Sequence, residues 1–184
     1  MTCVVADNAF TTDELDRIER LGDSLTQQQA DLAGSGFGPG GDPRIRITRT
    51  AWVPGTAETK WLYDRIHGVM MSVNRDAYQF ELKGFTEQFQ YTVYHGSEGG
   101  HYDWHLDLGM KAMQRKLSLS LQLSDPASYE GCDLQFMAGH GIETAPRDRG
   151  TVIVFPSYTL HRVTPVTAGT RKSLVAWAGG PKFR

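Results

Sequence analysis

Two periods of apolar residues divide the chain. Leu15, Ile18, Leu21 and Leu25 recur at spacings of three and four, which lays one apolar stripe along a helix. Thr11-Thr12-Asp13-Glu14 stands just before the stripe, with hydroxyls and acids where a helix N-terminus needs them. A second helical segment is predicted over 56–78, with Trp61, Leu62, Ile66, Met70 and Val73 on its buried side. Between the two lie a glycine- and proline-rich loop, 34–43, and a strand over 44–54. In that strand basic or polar residues alternate with Ile45, Ile47 and later Trp52. From Phe85 onward the period is two. Phe89, Tyr91 and Val93 alternate with Gln90, Thr92 and Tyr94, and Leu117, Leu119, Leu121 and Leu123 alternate with Ser118, Ser120, Gln122 and Ser124. The leucine face belongs against a core, whereas the small polar face suits the wall of a wet cavity. Further short strands are predicted near 133–137, 151–155, 160–166 and 172–177. The pattern reads as one α+β domain over 1–184 with a mainly β core. Residues 1–84 supply a helical flank and a leading strand, and 85–184 a sandwich or barrel.

Length and charge narrow the class. The chain has 184 residues, close to one domain. Lys and Arg number 19 against 21 Asp and Glu, a net charge of −2, so no global positive field points to nucleic acid or an anionic membrane. Cys3 and Cys132 are too few for a disulfide framework or a four-thiolate zinc site, and a reduced, cytoplasmic protein is expected. The first residues lack the basic and apolar pattern of a secretory signal, and no apolar run reaches membrane-spanning length. Nothing in the sequence sets an oligomeric state.

The chemistry is concentrated between His101 and Arg171. His101, Asp103, His105 and Asp107 fall at every second position, so a continuous strand puts all four on one face. Such a face is either a solvated polar edge or the holder of a cation. His161 follows the apolar run 151–155 and a Pro156-Ser157 turn. It reads either as a further ligand or as a hydrogen-bonded histidine at a strand end. Arg171 opens the apolar segment 174–177 and needs an anionic partner, either a protein carboxylate or a ligand's carboxylate or phosphate. Ser173, on the same strand face, adds a donor. Two imidazoles and one carboxylate leave about three of six octahedral positions open, as in non-haem Fe(II) oxygenases. Zinc accepts the same donors, although a zinc hydrolase has no evident need for the buried arginine.

Taken together, Tyr94-x-Gly96, His101-Tyr102-x-Trp104-His105-x-Asp107, Arg115-Lys116-Leu117-Ser118, Tyr129-Glu130-Gly131, Phe155-Pro156-Ser157, His161-x-Val163 and Arg171-x-Ser173 occur in an order that resembles the Fe(II)- and 2-oxoglutarate-dependent dioxygenases, nearest their prolyl-4-hydroxylase-like branch. The resemblance covers roughly 89–177. It implies a double-stranded β-helix, or jelly roll, with N-terminal flanking helices. It also implies Fe(II) on His105, Asp107 and His161, with 2-oxoglutarate and O2 as cosubstrates. Arg171 then pairs with the distal carboxylate of 2-oxoglutarate, Tyr94 hydrogen-bonds that carboxylate, and Ser173 completes an Arg-x-Ser arrangement. An aromatic three residues before the first ligand, here Tyr102, favours His105 and Asp107 over His101 and Asp103. Asp107 stands where related halogenases have a small residue, which favours hydroxylation. Cys132 departs from the pattern, since a second glycine often follows Glu130-Gly131.

Several residues keep two readings. His101 and Asp103 either meet substrate at the cavity entrance or are solvated. Gln88, Gln90 and Gln122 contact substrate or cosubstrate, or are ordinary polar strand positions. Trp177 borders the substrate or packs the core, and Trp104 is assigned to the core. Arg44, Arg46 and Arg49 form a local basic cluster, read as a solvated strand face or as an attraction for an acidic substrate. Met70-Met71 is core filler and His140 a turn residue. The segments 34–43 and 124–132 are candidate lids. The expected reaction is hydroxylation of a C–H bond in a small molecule, an amino acid or a peptidyl residue, with succinate and CO2 released. The rival reading is a zinc-containing or non-catalytic jelly roll that binds a small ligand. A nucleic-acid repair dioxygenase is disfavoured by the charge.

Overall fold

Local chemistry starts the first helix where the sequence predicts it. Thr11 Oγ1 accepts from the Glu14 backbone N–H at 3.3 Å, and the Glu14 carboxylate accepts from the Thr11 N–H at 2.8 Å. This reciprocal pair satisfies two otherwise orphaned donors. Helix α1 (Thr12–Ser24) buries Leu15, Ile18 and Gly22. Helix α2 (Lys60–Val73) begins four residues later than the predicted start at 56 and buries Leu62, Ile66, Met70 and Val73. Met70 is core, whereas Met71 is exposed. Beyond Val73 the chain widens into a π turn, Asn74–Tyr78, which ends on Gln79 in the left-handed region. The computed structural model describes residues 2–30, 42–108, 114–139 and 141–183. The predicted turn at His140 and most of the 34–43 loop lie outside the described residues.

The strands in chain order are β1 (Val4–Ala6), β2 (Gln28–Gln29), β3 (Arg46–Ile47), β4 (Arg49–Val53), β5 (Gly84–Phe85), β6 (Phe89–His95) and β7 (His101–His105). They continue as β8 (Gln114–Gln122), β9 (Tyr129–Gly131), β10 (Leu134–Ala138), β11 (Gly141–Thr144), β12 (Val152–Pro156), β13 (His161–Val163) and β14 (Val166–Gly180). Every pairing is antiparallel. The larger sheet runs β1-β12-β8-β14-β6-β4-β2, with β5 and β9 paired to the long β14, and the smaller sheet runs β11-β10-β13-β7-β3. This is the mainly β, two-sheet jelly roll the resemblance implies, with both helices on one face of the larger sheet.

The period-two runs divide as their chemistry requires. Phe89, Tyr91 and Val93 of β6 and Leu117, Leu119 and Leu121 of β8 pack with Leu15, Ile18, Leu62 and Ile66 of the helices. The opposite faces, with Gln90, Thr92 and Tyr94 on β6 and Ser118, Ser120 and Gln122 on β8, turn toward the smaller sheet. There Tyr94, Leu134, Phe136, Phe155 and Val163 form a second apolar cluster.

Three expectations are corrected. The first 84 residues are more than a helical flank with one leading strand, because β1, β2, β3 and β4 join both sheets. The predicted strand 44–54 breaks at Thr48, with β3 in the smaller sheet and β4 in the larger. The segment 124–132 is not a free lid: β9 pairs with β14 and Tyr129 is buried. Cys132 occupies the left-handed region at φ 58°, which explains why a glycine suits that position. Among the described residues, no helix is long and apolar enough to cross a membrane.

Candidate metal centre and cosubstrate cavity

A cavity of about 190 Å³ opens between the two sheets. His105 at the end of β7, Asp107 just beyond it and His161 at the start of β13 meet at its wall, and their donor atoms lie within 4.8 Å of one another. Antiparallel pairing sets His161 directly opposite His105. Each imidazole is oriented by the carbonyl two residues before it. His105 Nδ1 bonds the Asp103 carbonyl at 2.7 Å and His161 Nδ1 the Thr159 carbonyl at 2.8 Å. A carbonyl only accepts, so Nδ1 carries the proton and Nε2 keeps a free lone pair. Both Nε2 atoms face the Asp107 carboxylate, at 3.7 Å for His105 and 3.5 Å for His161.

Asp107 is also held from behind. Its Oδ2 accepts from Ser118 Oγ at 2.8 Å and from Trp177 Nε1 at 2.9 Å. Burial pushes this carboxyl up, but the two imidazoles and these two donors outweigh it and leave the pKa at about 2. Burial, helped by the neighbouring His161, holds the His105 pKa down at about 3. At neutral pH the cluster therefore presents a carboxylate and, at His105, a neutral imidazole, the forms that bind a divalent metal.

Arg171 lies deeper, only 2% exposed. Its Nε and Nη2 both donate to Gln122 Oε1, at 3.1 and 2.8 Å, and Gln122 is itself oriented by donating to the Pro146 carbonyl at 3.1 Å. No carboxylate among the described residues pairs with Arg171. A buried guanidinium held by an amide oxygen and the Cys132 thiol, with no carboxylate beside it, has unused capacity for an anion. The Tyr94 ring lies under it at 5.6 Å, and burial pushes the Tyr94 phenol up, so it stays a donor at neutral pH. Ser173 lines the same cavity and shares a hydrogen bond with Thr92.

The donor set and the buried arginine fit a ferrous ion and a dicarboxylic oxoacid. Of the residues singled out in the sequence, His105, Asp107, His161, Tyr94, Arg171, Ser173, Gln90 and Trp177 line one cavity. Gln122 acts behind it through Arg171. His101 and Asp103 do not line it. His101 bonds the Gly99 carbonyl at 2.9 Å, and Asp103 is exposed. The expectation that four alternating ligands share a face fails because the pairing of β7 with β13 shifts register. His161 opposes His105 while Val163 opposes Tyr102, so one extra residue is accommodated in β7. The shift brings Tyr102 onto the cavity side, stacked on His105 with ring centroids 3.4 Å apart.

Sequence reasoning missed the roles of Tyr102, Ser118, Trp52 and Arg115. Arg115 packs over Trp177 at 3.9 Å and is neutralised by Glu87 at 2.8 Å. Of the two readings of the basic cluster, the solvated strand face fails for Arg46. Arg44 and Arg49 do point outward, each to an acid, Asp42 and Glu98. Arg46 instead turns into the cavity and is 8% exposed. Trp104 is covered by Arg162, 4.7 Å above its ring, and joins neither apolar cluster.

Residues 89–179 match the model of the 2OG-Fe(II) oxygenase superfamily. Over that span the chain is a member of this superfamily. A PKHD-type hydroxylase of Teredinibacter turnerae is 39% identical over 85 residues, 43% of this chain and 38% of that protein. One from Prochlorococcus marinus is 40% identical over 82 residues, 44% of this chain and 37% of that protein. The chain thus spans well under half the length of these curated relatives. Among solved structures, a prolyl hydroxylase of Trichoplax adhaerens, in complex with a hypoxia inducible factor peptide, superposes with a TM-score of 0.76 at 16% identity. It covers 97% of this chain and 83% of that one. A prolyl-4-hydroxylase of Pseudomonas putida gives 0.69 at 21% identity, covering 98% and 94%. These likenesses establish the fold, and the superfamily's two cofactors, Fe(II) and 2-oxoglutarate, match the donor set and the buried arginine described above.

Proposed function

We propose that the chain is an Fe(II)- and 2-oxoglutarate-dependent dioxygenase. It hydroxylates a C–H bond of a small molecule, an amino acid or a peptidyl residue, with release of succinate and CO2. The observation that carries this reading is the coexistence, in one cavity, of the His105–Asp107–His161 cluster and the buried, carboxylate-free Arg171.

His105 and His161 would bind iron through Nε2, since Nδ1 of each is committed to a backbone carbonyl. Asp107 would bind through Oδ1, because Oδ2 is engaged by Ser118 and Trp177. When bound, iron with 2-oxoglutarate supplies the oxidising chemistry. The protein's part is placement. Arg171, steadied by Gln122, receives the distal carboxylate of 2-oxoglutarate, and Tyr94 adds a hydroxyl donor beside it. Leu134, Phe155, Val163 and Val175 keep the walls apolar and limit water at the reacting carbon. Trp52 and Trp177, with ring centroids 6.4 Å apart, border the space left for substrate. The free thiols Cys3 and Cys132 support a reducing, cytoplasmic setting.

Succinate release from 2-oxoglutarate, followed with Fe(II) and ascorbate present, tests this reading. Wild type is expected to form succinate, and His161→Ala and Arg171→Ala to lose at least about 99% of it. Stoichiometric zinc binding with no succinate from wild type would favour the ligand-binding jelly roll instead.

A further inference from the structure

The cavity holds a second buried arginine that the metal and 2-oxoglutarate leave without an anion. Arg46 sits on β3 opposite Tyr102 of β7. Its guanidinium lies 4.5 Å above the Tyr102 ring, and Nη2 donates to Gln90 Oε1 at 3.2 Å. Its Nε is buried and has no hydrogen-bond partner among the described residues. The side chain lines the cavity together with the metal cluster.

Local comparison shows that this pairing is unusual. In the segment Arg44-Ile45-Arg46-Ile47-Thr48-Arg49, both outward arginines have carboxylate partners, and the inward one has none among the described residues. The third cavity arginine, Arg115, is paired with Glu87. The charge balance then singles out Arg46. Asp107 and the two carboxylates of 2-oxoglutarate offset the ferrous ion and Arg171, and Arg115 is offset by Glu87. Among the described residues that line the cavity, one buried positive charge then remains, and a buried guanidinium without an anion is unfavourable.

We infer that Arg46 is the substrate-specificity residue and that it receives a carboxylate of the substrate, with Gln90 as the second donor. The inference rests on the dioxygenase reading above and names its substrate class: a carboxylic acid, in preference to an uncharged internal residue of a chain. The position suits this role. Gln90 faces Trp52 across the β6–β4 pairing, and Trp52 is 44% exposed at the cavity mouth. Trp52, Gln90, Arg46 and Tyr102 line the same cavity as the metal cluster, so a carboxylate held by Arg46 and Gln90 stays within the space the metal shares. Because Gln90 Oε1 already accepts from Arg46, the amide NH2 is left as the group that donates to an incoming carboxylate.

The test uses benzoate and its neutral isostere benzamide, titrated anaerobically into full-length protein loaded with Mn(II) and 2-oxoglutarate. Metal-induced relaxation of the probe protons is the readout. Wild type is expected to bind benzoate at least about tenfold more tightly than benzamide. Arg46→Gln is expected to abolish that preference and leave 2-oxoglutarate affinity within about twofold, and Arg46→Lys to keep part of the preference. Equal binding of the two probes, no binding of benzoate, or an unchanged preference in Arg46→Gln overturns the inference. So does loss of 2-oxoglutarate binding in Arg46→Gln, because Arg46 would then serve the cosubstrate. Failure of wild type to bind 2-oxoglutarate at all indicts the dioxygenase reading instead, and a thermal melt of each variant separates misfolding from lost recognition. Free L-amino acids, their amides, and a short peptide with a free or an amidated C-terminus, screened for a product heavier by one oxygen, then identify the source of the carboxylate.

Discussion

Trp177 Nε1 donates to Asp107 Oδ2 at 2.9 Å. The bond ties the far end of β14, the strand that also carries Arg171 and Ser173, to the carboxylate of the metal cluster. One strand therefore positions both the proposed cosubstrate anchor and a metal ligand. Trp177→Phe keeps most of the packing and removes the donor. Its metal affinity is expected to fall by about tenfold, the usual scale for removing an outer partner of a ligand. Ser118→Ala is expected to do the same. Co(II) titration followed by its visible absorption checks both, and unchanged affinity in the two variants would show that Asp107 needs no such support.

Arg171 and the metal ligands should separate in their effects. Arg171→Met is expected to weaken 2-oxoglutarate binding by about 2–4 kcal/mol, roughly thirty- to a thousandfold, and to leave metal affinity within about twofold. Gln122→Ala is expected to act in the same direction and more weakly, since it only steadies the guanidinium. Calorimetric titration of both ligands into both variants measures the split.

The metal-free fold is expected to weaken in acid through His105. The unfolded imidazole takes its proton near pH 6.5, whereas burial in the fold delays this to about pH 3. Between those values the unfolded chain binds more protons, so stability is full above about pH 6.5 and is lost as pH falls. The melting temperature of metal-free wild type is expected to drop from about pH 7 to about pH 4.5, and His105→Gln to flatten that slope. A variant that melts with the wild-type pH dependence would place the titration elsewhere.

Gly22 makes a purely structural prediction. It lies on α1 against the Tyr91 ring, and a Cβ there would fall 2.4 Å from ring carbons. Tyr91 cannot swing away easily, being fully buried with its hydroxyl on Asp23 at 2.8 Å. Gly22→Ala is expected to cost about 2 kcal/mol by overpacking and to lower the melting temperature by about 4–8 °C. Metal affinity of the folded fraction should be unchanged, because the helix face lies across the larger sheet from the cavity.

Much of this was legible because single residues conflicted with their surroundings. The Leu-Ser alternation of β8 named a core face and a cavity face at once, and an arginine opening an apolar strand demanded an anion. The Thr11–Glu14 pair marked a helix start by local chemistry alone. What was not legible depends on distant partners. Val4–Ala6 is a strand only because β12 offers it an edge. Arg44, Arg46 and Arg49 look alike in sequence, and only the folded positions of Asp42, Glu98 and Gln90 tell them apart. The parity of β7 is broken by a register shift against β13, so no alternation rule could place Tyr102 on the side of His105.

The central claim is that one cavity holds both the metal on His105, Asp107 and His161 and 2-oxoglutarate on Arg171. Calorimetric titration of 2-oxoglutarate into metal-free and Mn(II)-loaded protein tests it most directly. Affinity at least about tenfold higher with Mn(II), a gain lost in Arg171→Met, is the expected result. Equal affinity with and without the metal would contradict the account, because the two ligands would then occupy separate sites.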